Sequence, residues 1–220
     1  MGNGLLEVDR LELKIDLHWV LKGVNFHVNG GEIVAIVGEN GSGKTMTLRS
    51  IAGLEDATAT RLEFHGRNIN GMEPHNRAKE GLSYCPSEGH VFPRMTVKEN
   101  LEMGKYLFPE EMNGDFEVVY ELFPVLKERS DQAAGKLSGG ERQMLALSKS
   151  LMTEPDLLLL DEFSLGLAQK IALEFTGKVE EIYKSGVSVL FVEQNLQLAA
   201  GLAHRDYHMV EGRIENEGVL

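Results

Sequence analysis

The stretch Ile33-Val34-Ala35-Ile36-Val37-Gly38-Glu39-Asn40-Gly41-Ser42-Gly43-Lys44-Thr45-Met46 decides the fold. An apolar run of strand character feeds a glycine-rich loop, and a helix-compatible segment from Met46 to Ala52 follows at once. Strand, glycine loop and helix start in that order form a P-loop arrangement, which implies a nucleoside triphosphate. Gly38, Gly41 and Gly43 are expected to turn backbone N–H groups inward around phosphate oxygens, at torsions a Cβ would obstruct. Lys44 places a compact positive charge against the β and γ phosphates. Thr45 offers a hydroxyl to Mg²⁺ at a helix N-terminus that itself favours anions. Glu39, Asn40, Ser42 and Met46 complete the expected nucleotide-binding loop. A bare glycine turn would need neither the flanking strand nor the helix.

Composition bounds the remaining possibilities. A chain of 220 residues buries one good core. Its 42% hydrophobic and 25% charged residues are ordinary for a globular protein. A formal charge of −12 argues against a broad nucleic-acid face, which needs concentrated basic surface. Cys85 is the only cysteine, which excludes an intramolecular disulfide and a multi-cysteine metal site. The aliphatic run Leu157 to Leu160 is far short of the roughly 20 apolar residues that span a bilayer. Met1-Gly2-Asn3-Gly4-Leu5 lacks the basic-then-apolar layout of a secretion signal, so the expected compartment is the cytosol.

Apolar patterning gives the organisation. Strand-like pieces stand at Leu5 to Val8, Ile33 to Val37 and Arg61 to His65, separated by the turn signals Asn29-Gly30-Gly31 and His65-Gly66. From about Thr96 to Gln132 the character is helical, with Phe116, Val119, Tyr120, Phe123 and Leu126 on one face and a kink or break expected at Pro124. A helix from Glu141 to about Met152, the strand Leu157 to Leu160, a helix carrying Ile171, Phe175, Val179 and Ile182, and the strand Ser188 to Val192 follow. Such alternation implies an α/β fold with a mostly parallel sheet covered on both faces. The expected organisation is a single domain over 1–220. Its core takes about 1–95 and 136–220, with an inserted helical subdomain at about 96–135.

Two further constellations sharpen the chemistry. Leu157-Leu158-Leu159-Leu160-Asp161-Glu162 is a buried strand ending in two carboxylates, a Walker B pattern. Neighbouring side chains on an extended segment point opposite ways, so they are expected to take separate tasks. Asp161 would support Mg²⁺, and Glu162 would orient or deprotonate the attacking water. Leu137-Ser138-Gly139-Gly140-Glu141 precedes a helix directly. Ser138 can cap that helix, and Gly139 and Gly140 allow a phosphate to approach the amides.

Together these residues resemble the ATP-binding cassette family of ATPases, whose signature reads LSGGE or LSGGQ, and the resemblance runs in order along essentially the whole chain. It implies the P-loop ABC ATPase fold, with an antiparallel β lobe beside the main sheet. It implies head-to-tail pairing with a second ATPase subunit, identical or different. Ser138, Gly139, Gly140 and Glu141 of one subunit would then reach the nucleotide held by Lys44 of the other. It further implies transmembrane permease subunits as partners, and a peripheral location on the cytoplasmic face of the plasma (inner) membrane.

Val20-Leu21-Lys22-Gly23-Val24, the segment from Val91 to Leu101, Tyr120-Glu121-Leu122-Phe123-Pro124 and Val192-Glu193-Gln194-Asn195 resemble the ATPase subunits of branched-chain amino-acid importers. Relatives of that subgroup import urea or other small polar solutes. A soluble cassette ATPase of DNA repair or translation is the contrasting class. It commonly adds coiled coils, zinc insertions or a second cassette, and this sequence shows none of these signals. The chain departs from the family in four places. Phe163 stands where a proline usually follows Walker B, and Ser164-Leu165-Gly166-Leu167 after it is a loop expected at the dimer seam. Gln194 stands where most members have a switch histidine, and an amide hydrogen-bonds but does not carry a proton as imidazole does. Ser87, with Glu88 beside it, stands where a glutamine usually contacts Mg²⁺. Ile15 stands at the adenine-stacking position, with Trp19 expected to be ordinary packing. His90, Val91, Phe92 and Pro93, with Met103, Tyr106, Leu107 and Phe108, form an apolar cluster expected to dock the membrane partner.

Overall fold

The computed structural model describes residues 4–87, 90–107 and 116–219. Ile33–Val37 forms β3, the parallel centre of a six-stranded sheet. Beside it run β8 (Ser188–Glu193), β7 (Leu157–Asp161) and β6 (Leu82–Cys85) on one flank, and β9 (Arg205–Val210) and β10 (Arg213–Val219) on the other. Only the β9–β10 pair in this sheet is antiparallel. The register sets Ile33 to Val37 beside Val189 to Glu193, and Leu160 and Asp161 beside Phe191 and Val192.

Both faces of this sheet are covered, which is why its central strands read as unbroken apolar runs. Ile33, Ala35, Val37, Leu158, Leu160, Val189 and Phe191 look into one core. Val34, Ile36, Leu157, Leu159, Leu190 and Val192 look into the other. The second core is closed by α1 (Lys44–Ala52) and by an antiparallel four-stranded sheet in the order β2-β1-β4-β5. Its strands are β1 (Gly4–Ile15), β2 (His18–Asn29), β4 (Arg61–Phe64) and β5 (Arg67–Asn68), with α2 (Pro74–Lys79) following.

The first core takes in α3 (Val97–Gly104), α4 (Glu117–Leu122), α5 (Pro124–Glu128), α6 (Gly139–Leu151), α7 (Gln169–Lys184) and α8 (Leu196–Leu202). Val97, Leu101, Phe116, Val119, Phe123 and Leu126 belong to the same apolar cluster as Ala35 and Leu160, so the helical segment shares its core with the sheet. The chain breaks at the predicted place: α4 ends at Leu122, Phe123 adopts φ −133 and ψ 79, and Pro124 opens α5. Proline suits that first position because its missing N–H would have no intrahelical partner. Thr96 caps α3 through a reciprocal pair with Glu99, and Asn100 holds the preceding turn by bonding Phe92 on both its N–H and its carbonyl.

β1 runs well past the predicted Leu5 to Val8, and β2, β9 and β10 carry no strand prediction. Arg10 has φ 49 and Gly23 has φ 85, and the β1–β2 register shifts between Val8 and Leu11 and again between Leu11 and Glu12. Each bulge moves the apolar set by one residue, so the period of two is lost from the sequence while the pairing continues.

Candidate functional site

The loop from Gly38 to Gly43 joins the end of β3 to α1, where the helix N-terminus concentrates positive potential. Its glycines serve two purposes, not the single one expected. Gly41 and Gly43 hold φ of 80 and 112, in the left-handed region. Gly38 has no such torsion; a Cβ there would stand 2.3 Å from the Met209 carbonyl oxygen on β9. Close backbone approach fixes Gly38, and chain turning fixes the other two.

Lys44 is buried, and its Nζ donates to the carbonyls of Gly38 at 2.9 Å and Glu39 at 3.0 Å. It also lies 3.4 Å from Oε1 of Glu162. Thr45 donates its hydroxyl to Oδ1 of Asp161 at 2.8 Å, and Tyr84 donates to Oδ2 at 3.0 Å. Burial pushes the Asp161 carboxyl above its ordinary range, and the neighbouring Glu162 charge adds to this, against hydrogen bonds from Thr45 and Tyr84 that pull it down. Burial, then the charge of Asp161, raises the Tyr84 phenol, which keeps it a donor. The Ser42 hydroxyl oxygen is buried without a hydrogen-bond partner. A buried hydroxyl left so is suited to an anionic acceptor bound in this loop.

Asp161 and Glu162 do not diverge as strand alternation predicts. Asp161 closes β7, but Glu162 adopts φ 41, and its N–H donates to the Val192 carbonyl at 3.1 Å. This left-handed turn swings both carboxylates toward the loop, one onto Thr45 and the other onto Lys44. It costs about 1–2 kcal/mol in a residue with a Cβ.

Gln194 is exposed at the end of β8 and borders two cavities. One, of about 610 Å³, is lined by Gly38 to Ser42 and by the β9–β10 turn. The other, of about 350 Å³, is lined by Glu162, Ser164 and Glu193. Ser87 is half-buried just past β6, at the sheet end shared with Asp161, because Cys85 pairs with Leu160. Glu88 and Phe108 lie outside the described residues. Burial pushes the Cys85 thiol up to about 12, so it is no nucleophile.

Ser138 to Glu141 stand apart from this cluster, at the start of α6. Ser138 accepts from the Glu141 N–H and donates its own N–H to the Glu141 carboxylate, and Arg129 pairs with Glu141 at 3.0 Å. Ser138 and Gly139 are exposed, and Gly139 has open space where a Cβ would point. Met46 is half-buried in the first turn of α1. Ile15 is exposed at the end of β1, and β2 meets the loop through Leu21, whose side chain is 3.1 Å from the Cβ position of Gly43. Trp19 is not packing residue after all: it is 52% exposed, with the Lys14 ammonium 5.7 Å from its ring. Phe92, Pro93, Met103 and Tyr106 of the expected docking cluster are exposed, Val91 and Leu107 are half-buried, and Lys149 lies 4.4 Å over the Phe92 ring.

Two residues the sequence reading passed over belong here, Tyr84 and Glu193. Tyr84 is separated from its partner by 77 positions, and only the β6–β7 register brings the two together. Among the described residues, no helix is long and apolar enough to cross a membrane.

A glycine loop on a helix N-terminus, a buried lysine, and a threonine–aspartate pair at a parallel sheet's carboxyl end define a P-loop nucleotide-binding protein. The ABC transporter family profile matches residues 21–164. The high-affinity branched-chain amino acid transport ATP-binding protein BraG of Pseudomonas aeruginosa is 39% identical over 214 residues, covering 96% of this chain and 91% of the relative. The probable branched-chain amino acid transport ATP-binding protein LivF of Archaeoglobus fulgidus is 35% identical, over 92% of this chain and 86% of the relative. A solved nucleotide-free ATP-binding cassette from an ABC transporter superposes with a TM-score of 0.88 at 27% identity, over 98% of this chain and 91% of that one. The chain belongs to the ABC transporter family and is one of its ATPase cassettes.

Proposed function

We propose that this cassette binds ATP with Mg²⁺ and hydrolyses it to drive an importer for branched-chain amino acids, paired with a second ATPase subunit and seated on permease subunits at the cytoplasmic membrane face. The observation that carries the reading is the convergence of Lys44, Thr45, Asp161 and Glu162 on one loop. Nearly full-length likeness to two branched-chain amino acid transport proteins supports the solute class. Residues 1–220 act as one cassette, with the helices of about 96–135 as an insert facing the membrane partner.

Each role follows from placement. Amides of residues 38–45 and the Lys44 ammonium bind the phosphates, and Ser42 contributes its hydroxyl. Thr45 and Asp161 are hard oxygen donors 2.8 Å apart, a pair that fits Mg²⁺, with Ser87 at the same sheet end as a further ligand. The ion, when bound, neutralises charge on the β and γ phosphates. Tyr84 orients Asp161. Glu162 orients and deprotonates the attacking water. Gln194 hydrogen-bonds the γ-phosphate or that water, leaving proton transfer to Glu162. Ile15 gives the adenine apolar contact. Ser138 and Gly139, exposed at the N-terminus of α6, and the half-buried Gly140, stiffened by the Glu141 cap, reach the partner subunit's nucleotide.

Purification with its co-purifying permease subunits, reconstitution in vesicles and transport assays with leucine and with urea test the proposal. Leucine-stimulated ATPase activity is the expected result; stimulation by urea alone would reassign the solute. A cassette that binds no permease and turns over at one rate throughout would overturn the transport reading.

A further inference from the structure

Glu193 is only 3% exposed, yet it ends a strand whose neighbours are apolar. Its Oε1 accepts the Ser164 N–H at 3.1 Å. Burial pushes the carboxyl above its ordinary range, against the pull of Ser164 and of the Asn195 and Gln194 amides that surround it. One residue earlier, the Val192 carbonyl accepts the N–H of Glu162. Two successive residues of β8 therefore hold residues 162 and 164. Glu162 needs such fixing because its φ of 41 is unfavourable for a residue with a Cβ. A side chain that only filled the core here would be apolar, since a buried carboxylate is tolerated only when hydrogen-bonded. Glutamine would keep one acceptor oxygen for the Ser164 N–H but turn its NH₂ toward the amides of Gln194 and Asn195, which are themselves donors.

We propose that Glu193 is a positioning residue for hydrolysis: a buried carboxylate that clamps the segment after β7 to the end of β8 and so fixes Glu162 and Gln194 relative to each other. It acts through the backbone on either side of the 350 Å³ cavity that Glu162, Ser164 and Gln194 border. The inference rests on the ATPase reading, and its test includes a measurement that needs no turnover.

Glu193→Gln is compared with the unsubstituted chain for ATPase kinetics, nucleotide affinity, thermal midpoint and amide hydrogen exchange over 162–166 and 194–195. Expected are a kcat at least tenfold lower, KM and nucleotide affinity within about twofold, and faster exchange confined to those segments. Glu193→Asp, which keeps the carboxylate, should recover part of kcat. Unchanged kcat and exchange would overturn the proposal. So would a parallel loss of kcat, affinity and thermal midpoint, which would make Glu193 a stability residue only. Should Glu193→Gln not fold, Glu193→Asp decides: one methylene fewer draws the carboxylate off the Ser164 N–H and should lower kcat with KM unmoved, whereas an unchanged kcat counts against the clamp. If the unsubstituted chain shows no turnover, the ATPase reading fails, and local exchange alone then decides for or against the clamp.

Discussion

Lys44 Nζ lies 3.4 Å from the Glu162 carboxylate while donating to the carbonyls of Gly38 and Glu39. The residue assigned to phosphate binding and the residue assigned to water activation thus meet directly, across the junction of α1 and β7. Removing either charge alters the surroundings of the other, but the two losses should separate by experiment. On those assignments Lys44 would act on the bound ground state and Glu162 on the transition state.

Lys44→Ala should reduce ATP affinity by more than tenfold, which corresponds to about 1.4 kcal/mol or more. No other side chain of the loop supplies a positive charge. Titration with a fluorescent ATP analogue measures it, and affinity within about twofold of the parent would remove the loop from phosphate binding.

Glu162→Gln should bind ATP as well as the parent does and lose turnover by 10²-fold or more, the range expected for a lost general base. With hydrolysis stopped, an ATP-held dimer should accumulate on size-exclusion chromatography in Mg²⁺. A monomer turning over at the parental rate would refute the role.

Tyr84→Phe removes one hydrogen bond to Asp161, worth roughly 0.5–1.5 kcal/mol. The Mg²⁺ concentration for half-maximal ATPase activity should rise about two- to tenfold with ATP affinity little changed. A Mg²⁺ titration at saturating ATP that shows no shift would separate Tyr84 from the metal site.

Gly38→Ala and Gly139→Ala should part stability from activity. At position 38 the new Cβ meets the Met209 carbonyl at 2.3 Å, so β9 must move and the thermal midpoint should fall by several degrees. At position 139 the space is open and alanine is the better helix former, so stability should hold or rise. ATPase activity should nevertheless fall, because the methyl group crowds the face assigned to the partner's phosphate. Unaltered activity in a stable Gly139→Ala would argue against that assignment.

Charge also leaves a signature in stability. Burial raises the Glu32 carboxyl, but hydrogen bonds from Asn29 and Arg205 outweigh it and hold the group below its ordinary 4.5. A depressed carboxyl stabilises the fold above its unfolded value, and that contribution is lost as pH falls through the lower folded value. Glu32→Gln should therefore cost roughly 1.5–3 kcal/mol at pH 7, where it leaves the buried Arg205 short of a partner, and less at pH 3. Denaturant unfolding at both pH values measures the difference, and a constant gap would contradict the linkage.

Much of this was legible in the sequence because the decisive groups are contiguous. Gly38 to Met46, Asp161-Glu162 and Ser138 to Glu141 each carry their own turn, cap or strand end, and β3, β7 and β8 are apolar throughout. What stayed hidden depends on partners distant in sequence. β9 hides a buried arginine, Arg205, which Glu32 and Glu217 pair at 2.9 Å each, so its alternation reads as polar. Bulges at Arg10 and Gly23 erased the period of β1 and β2. Tyr84 and Glu193 gained meaning only once Asp161 and Ser164 were placed beside them. The turn at Glu162 ran against strand alternation because a local backbone strain, not the pattern, sets its direction.

The proposed membrane contact can be tested at Phe92. Its ring is 44% exposed beneath Lys149, whose ammonium also donates to the His90 carbonyl at 2.8 Å, while Tyr106 nearby in the expected cluster is 68% exposed. Phe92→Glu exchanges a cation–π contact for a carboxylate within reach of the Lys149 ammonium, so the fold should survive the change. The turn around it is kept by Asn100 through backbone groups that the substitution leaves in place. Basal ATPase activity should stay within about twofold, while stimulation by the reconstituted permease should fall at least tenfold, because a carboxylate would be desolvated against an apolar partner surface. Met103→Glu serves as a second probe of the same cluster. Full stimulation in both variants would place the contact elsewhere on the cassette, and a lowered thermal midpoint in both would mark the cluster as packing for α3.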